Sequence, residues 1–352
     1  MKQKHKIALK QLDVTPFPNT WYFMGLMSDY KQGQVYSKKF CGREIILTKV
    51  SATKVTVFDA FCPHLGAHLG RTINNKTKKK LNEFNEVRCV YHGFRYNEAG
   101  EYVGCDHGEV KKKPSLNAYE VDIKHGQLIM VYFHQDNLKA DWHMPDIYDS
   151  KDKYSKIICP KTIEASIHPL DSTENAIDRL HFKILHRMNT VEPLSKPEIL
   201  HDGKVFKLVT QLGDIDYLPD WMPGKQISAT IEKYSYGVGL AMAHIYFKQL
   251  PGFSMRHAVA ITPIDENVST FRFIFCTAHY DKLSRVLTRC LIPQKYIDKL
   301  YDQLVWLFSL PENIVNTEDI DVWSHKIIVD KPILNSKDGP IHAYRKFTQQ
   351  FL

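Results

Sequence analysis

No stretch of about 18 consecutive apolar residues occurs in this chain, so no membrane-spanning helix is expected. The opening residues, MKQKHKIALK, are basic but lack the apolar core of a secretion signal, and a cytoplasmic location is expected. Cysteine is scarce and odd in number: seven in 352 residues, at 41, 62, 89, 105, 159, 276 and 290. That excludes a disulfide scaffold. Glycine-rich nucleotide fingerprints and flavin-binding segments are missing, so any nicotinamide chemistry must belong to a separate protein. Neither zinc-finger spacing nor an RNA-stacking motif is present, and the net charge of +8 is not read as nucleic-acid binding. There is no internal repeat.

What is present is an ordinary globular composition, 43% hydrophobic and 24% charged, with length enough for two domains. The segments WYFMGL, QVYSKKF, REIILTKV, KVTVFDAF, EYVGC and LIMVYFH read as short strands. They predict an N-terminal arm over 1–20 and a small all-β domain over 21–135. A linker-like stretch, 142–155, leads into a second domain over 136–352. There, STENAIDRLHFKILHRM reads as a helix that Ser172 or Thr173 caps, with Glu174 favourable near its N-terminus. The segments from KVFKLVTQL to STFRFIFCTAHY predict an antiparallel sheet of about five or more strands. Helical periodicity resumes from about 280 in RVLTRCLIPQKYIDKLYDQLVWLFSL. The fold class is thus α+β.

The chemistry is concentrated in two places. The first is CPHLGAHLG, 62–70, answered by CVYHG, 89–93. Cys62, His64, Cys89 and His92 offer two thiolates and two imidazoles in glycine-rich turns. A structural zinc site is one reading. Zinc fingers, however, pair a Cys-x-x-Cys with an His-x-x-x-His around a helix, whereas here each turn supplies one of each within β-like sequence. Two tips of a small β domain clasping a binuclear cluster fit better. Gly66, Gly70 and Gly93 let the backbone close over the sulfurs. His68 falls outside the ligand pattern and reads as a satisfied or surface histidine.

The second place is ENAIDRLHFKILH, 174–186. His181 and His186 stand roughly 140° apart around a regular helix, so a bend or bulge is needed to aim both at one ion. Asp178, one turn before His181, would need a partner if buried, and that histidine supplies one.

The first pattern strongly resembles the Rieske signature Cys-x-His-x-Gly-x-x-Leu-Gly followed by Cys-x-x-His-Gly. The second resembles the mononuclear iron motif of Rieske oxygenases, closest to the 3-ketosteroid 9α-hydroxylase and cholesterol 7-desaturase branch. Asn175, Asp178, His181, Phe182 and His186 match that branch's spacing. The chain departs from the family in its loop RTINNKTKKKLNEFNEV and in Val90, where many members have proline. The resemblance implies a [2Fe–2S] cluster held by Cys62, Cys89, His64 and His92, and a mononuclear Fe(II) held by His181, His186 and Asp319. Asp321 and Glu318 remain rivals to Asp319. It further implies that Asp178 bridges to the Rieske histidine of a neighbouring subunit in a homotrimer and that Asn175 lies near the iron. The second domain should be a helix-grip (START-like) fold, a sheet wrapped around a long helix over an apolar pocket.

The implied activity is O2-dependent hydroxylation or desaturation of a hydrophobic, steroid or sterol-like small molecule. Electrons would come from NAD(P)H through a separate ferredoxin or flavin-containing reductase. An aromatic or alkaloid-like substrate is the alternative within the same chemistry; a non-catalytic electron carrier is the alternative of a different class. The basic clusters at Arg71, Lys76, Lys78, Lys79 and Lys80, and at Lys111, Lys112 and Lys113, read as solvated loops or as a docking face for an acidic electron donor.

Overall fold

The computed structural model describes residues 14–73, 79–147, 153–154, 157–159, 162–186, 188–215, 228–248, 254–279, 290–293, 295–296, 299, 303 and 317–352. The sequence-expected helix from about 280 lies outside the described residues apart from scattered positions, as do Lys76, Lys78 and most of the 1–20 arm.

The N-terminal part is built from three antiparallel sheets of three strands each. β1 (Thr20–Leu26) pairs with β9 (Leu128–Phe133), which pairs with β8 (Val121–Lys124). β2 (Val35–Phe40), β3 (Arg43–Lys49) and β4 (Val55–Asp59) form a meander. The small sheet of β5 (Val87–Arg88), β6 (Arg95–Tyr96) and β7 (Tyr102–Gly104) carries the tip region. Strand formation follows composition: β1 is rich in aromatic residues, β9 combines Ile, Val and aromatic residues, and both are buried throughout. One core joins Tyr22, Phe40, Ile45, Leu47 and Val131; a second, around Phe58, Tyr96 and Leu69, supports Cys62 and Cys89.

The C-terminal part is one nine-stranded antiparallel sheet. Its strands are β10 (Lys153–Tyr154), β11 (Thr162–Ala165), β12 (Met188–Pro193), β13 (Glu198–Leu200), β14 (Val205–Ile215), β15 (Ala229–Tyr236), β16 (Leu240–Phe247), β17 (Ser254–Asp265) and β18 (Val268–His279). The main path runs β10-β18-β17-β16-β15-β14-β12, with β11 on β18 and β13 on β14. Among the described residues four short helices accompany it: α1 (Pro169–Asn175), α2 (Leu180–Ile184), α3 (Thr317–His325) and α4 (Ile341–Thr348).

The helix-grip expectation is corrected here. Among the described residues the sheet does not wrap a long helix; α3, the longest, has nine residues. The helix expected from Ser172 is two short pieces, and its last residue, Met188, opens strand β12. The cap is also different. Pro169 occupies the first helical turn, where its missing N–H costs nothing, and the preceding His168 caps it by accepting from the Leu170 amide. Ser172 and Thr173 are inside the helix.

The break between α1 and α2 has a packing cause. Gly339 lies so close that any Cβ would overlap the Ile177 carbonyl, and Arg179 Nη2 donates to the Asp338 carbonyl at 2.8 Å. The chain's last segment is thereby pressed into the break.

The two parts share a boundary without a gap. Trp21 and Phe23 of β1 belong to the same buried cluster as Leu240, Met242 and Ala258 of the large sheet. Backbone amides of Cys41 and Gly42 donate to the Pro263 and Ile264 carbonyls, at 2.9 and 3.0 Å.

Candidate metal centres

The two N-terminal tips are built alike. The Cys62 carbonyl accepts from the Gly66 amide at 2.9 Å, and the Cys89 carbonyl from the Gly93 amide at 3.1 Å. Both glycines have positive φ, 73° and 72°, which closes each turn back on its cysteine. At Gly93 a side chain would also collide with Asp106.

The cysteines are buried and face each other within hydrogen-bond reach. Cys89 is pushed down to about 5, chiefly by the bond from Cys62, so one sulfur is readily a thiolate. The Tyr96 hydroxyl lies 3.1 Å from Cys62 Sγ. His64 and His92 meet edge to face with ring centroids 4.7 Å apart, and His64 stacks on Phe94 at 4.3 Å. The two cysteines thus meet each other, and the two histidines meet each other, on the same pair of tips. Two thiols and two imidazoles on adjacent tips are the donor set that a Rieske cluster requires. His68 stands outside the ligand group: its Nδ1 accepts from the Gly70 amide and its Nε2 lies 3.1 Å from Glu44.

In the C-terminal part, α2 stops at Ile184 and its end solves the spacing problem. The His181 carbonyl accepts from the Leu185 amide at 2.7 Å and from the His186 amide at 3.4 Å. The second contact spans five residues, a π-type turn that swings His186 back toward His181. Their rings come within 5.2 Å, inclined at 78°. Asp319, in the first turn of α3, completes the group; ligand atoms of His181, His186 and Asp319 all lie within 4.8 Å of one another. α3 is fixed from behind by Trp323, packed against Phe271.

Among the rival acids, Asp321 has an 82% exposed side chain. Glu318 Oε2 stands 3.9 Å from His186 Nδ1, on its far side from Asp319, and the Glu318 side chain is 43% exposed.

The donor atoms behave as ligands would. His186 is fully buried, and neither ring nitrogen makes a hydrogen bond among the described residues, although Nε2 lies 3.2 Å from Asp319 Oδ2. Asp319 Oδ1 is likewise without a hydrogen bond there. Convergent buried polar atoms that do not bond one another are costly unless something sits between them. Two imidazoles and one carboxylate fit a mononuclear iron with open positions.

Asn175, the last residue of α1, places its amide nitrogen 3.1 Å from His181 Nε2. Asp178 lies in the break, its Oδ2 3.7 Å from His181 Nδ1 and its Oδ1 accepting from the Leu180 amide. Burial alone would raise the Asp178 carboxyl, but the neighbouring His181 ring and the backbone amides outweigh it and hold the pKa low. Burial lowers His181, against the pull of Asp178.

An apolar cavity of about 200 Å³ opens on this centre, reaching His181 and Asp319 on one side and Met242, Val259 and Phe275 on the other. Its walls come from β12, β14 to β18, α1, α2 and α3. Two of its residues, Lys233 and His257, were not singled out from the sequence. Strand phase marks the first: ATIEKYSY alternates buried and half-buried from Ala229, and the lysine falls on the buried phase.

Residues 20–120 match the Rieske [2Fe–2S] domain family, and 131–352 match the 3-ketosteroid 9α-hydroxylase C-terminal domain family. The chain belongs to the Rieske-domain non-heme iron oxygenases. Cholesterol 7-desaturase nvd 1 of Ciona intestinalis is 24% identical to this oxygenase over 96% of its chain and 70% of the relative. The oxygenase component of a 3-ketosteroid-9-alpha-monooxygenase from Rhodococcus rhodochrous is 21% identical, over 99% and 88%. The fold of the oxygenase is shared with apo dicamba monooxygenase, at a TM-score of 0.62 and 14% identity over 95% and 96% of the two chains. Pseudomonas putida CBB5 NdmA with caffeine gives 0.62 and 14% over 98% and 90%. Among the described residues of the oxygenase no helix is long and apolar enough to cross a membrane.

Proposed function

We propose that this chain is the terminal component of an electron-fed oxygenase that hydroxylates or desaturates a compact ring compound of the aromatic or alkaloid kind. The observation that carries the reaction is the His181, His186 and Asp319 group opening directly onto an apolar cavity. In this reading the division is an arm over 1–20, an electron-accepting domain over 21–135 and a catalytic domain over 136–352. Cys62 and Cys89 hold one iron of the cluster, and His64 and His92 the other. His181, His186 and Asp319 hold Fe(II).

When bound, the cluster supplies electrons singly and the iron supplies O2 activation for attack on a C–H bond. The protein's own groups do the rest. Asp178 fixes the His181 ring through Nδ1 and, in a homotrimer, reaches toward a Rieske histidine of the neighbouring subunit. Asn175 keeps an amide beside His181 Nε2, at the edge of the open positions. The cavity wall excludes water and holds the carbon to be attacked. NAD(P)H serves through a separate ferredoxin or flavin-containing reductase in the cytoplasm.

Cavity size favours the smaller substrate. A closed apolar space of about 150 Å³ accepts benzene, so about 200 Å³ suits one or two rings better than four. Solved relatives of this fold are described with dicamba and with caffeine. A steroid or sterol-like substrate becomes the second reading. Its support is the family match over 131–352 and the cholesterol 7-desaturase relatives.

The test is accurate mass of products after anaerobic iron loading, then O2, a surrogate reductase and a panel of aromatic, alkaloid and steroid compounds. A gain of one oxygen establishes hydroxylation and a loss of two hydrogens establishes desaturation. The compound that changes decides the class. Unchanged masses across the panel, with iron bound and electrons flowing, would overturn both substrate readings.

A further inference from the structure

The cavity contains an amine that the reaction outlined above does not use. Lys233 lies in the middle of β15 and is only 4% exposed. Its Nζ sits 3.8 Å from the Phe182 ring centroid and makes no hydrogen bond among the described residues. The ring face holds the head group in place but leaves N–H donors over. A buried amine with unused donors is costly, and such groups persist where a ligand completes them.

The strand register gives the amine a setting. Lys233 pairs with Ala243, Ala243 with His257, and His257 with Phe275, one row across four neighbouring strands. Paired residues share a face, and all four line the cavity. Ala243 contributes only a methyl group, leaving a slot between Lys233 and His257, whose backbones are roughly 10 Å apart across two strand spacings. The far wall is flat: His257 stacks on Phe275 at 4.8 Å and 8°, and its Nε2 also makes no hydrogen bond among the described residues. One end of the slot thus offers a donor, the other an aromatic plate, and the same cavity reaches His181 and Asp319.

We propose that Lys233 is the polar anchor of the substrate, donating to a carbonyl or carboxylate oxygen of a ring compound that lies across Ala243 against His257. This rests on the oxygenase reading and narrows its substrate class to ring compounds bearing such an oxygen. The amine donates in either protonation state, so a neutral ketone and a carboxylate are both accommodated. The anchor fixes which carbon of the ring faces the metal centre.

The test is equilibrium binding by calorimetry to the iron-loaded protein without O2. The probes are two matched pairs, 1-tetralone with tetralin and androstan-3-one with androstane. They are titrated into the unmodified protein, Lys233→Met and Lys233→Gln. At least one ketone is expected to bind about tenfold or more tightly than its hydrocarbon partner. Lys233→Met should bring that margin to within about threefold while leaving hydrocarbon binding in place. Lys233→Gln, with a donor on a shorter stem, should keep part of it, and remains readable if the methionine variant does not fold. Absence of a ketone margin in the unmodified protein, a margin untouched by both variants, or binding of neither pair would overturn the proposal. Product formation is measured separately on the same preparations. A protein that binds ketones through Lys233 yet oxidises nothing refutes the proposed reaction and leaves the anchor standing.

Discussion

The two metal centres contrast in how the chain builds them. At the N-terminal tips each turn brings its own cysteine and histidine, and a glycine closes the turn within four residues. At the C-terminal centre two ligands flank a helix end and the third arrives from α3, on the far side of the large sheet in sequence. The first centre is specified by local turn chemistry. The second exists only when the sheet, α2 and α3 are all in place, which makes it the more vulnerable to changes elsewhere.

Removing ligands should separate the centres most sharply. Cys89→Ser is expected to abolish product formation with loss of the cluster's visible absorbance and electron paramagnetic resonance. His186→Ala should abolish it equally while the cluster spectrum persists and bound iron falls. A spectrum lost in both variants would show that the centres do not fold independently. Asp178→Asn should cost less: about 10- to 100-fold in product formation, read beside unchanged cluster content and the rate at which a prereduced cluster is reoxidised. A fall in bound iron instead would make Asp178 mainly a support for His181.

Gly339→Ala probes dependence on distant packing. The methyl group would overlap the Ile177 carbonyl, with an expected stability loss of about 1–3 kcal/mol by thermal melting. Iron binding should weaken with it while the cluster spectrum stays intact. The smallest effect is expected at the tip region. Lys79 is buried and donates to the Arg88 carbonyl at 2.6 Å, beside Cys89. Lys79→Met should cost about 1 kcal/mol in the same assay.

The same contrast decides what could be read beforehand. The tips were legible because their ligand spacing is contiguous and their glycines are part of the pattern. The large sheet was legible as strands from its β-branched and aromatic segments, five of which coincide with β14 to β18. The split helix was not. Ala176 to Arg179 carries no proline or glycine, and the break depends on Gly339 and Asp338, which lie near the other end of the chain. Of the two basic clusters, read as solvated loops or a donor-docking face, the second is exposed at Lys111, Lys112 and Lys113, while Lys79 of the first points inward. Asp319 could be preferred to its neighbours only by resemblance. Burial and the approach to His186 now separate it from Asp321 and Glu318.

The seam between the two parts carries its own consequence. Thr262 Oγ1 donates to the Phe23 carbonyl at 2.9 Å, the Trp21 indole to the Trp142 carbonyl at 3.0 Å, and Gly239 abuts the Trp21 backbone with no room for a side chain. Among the described residues, a joint this dense leaves no hinge between the two parts. Where many multi-part enzymes regulate transfer by swinging one module toward another, this molecule holds its modules as a single casting.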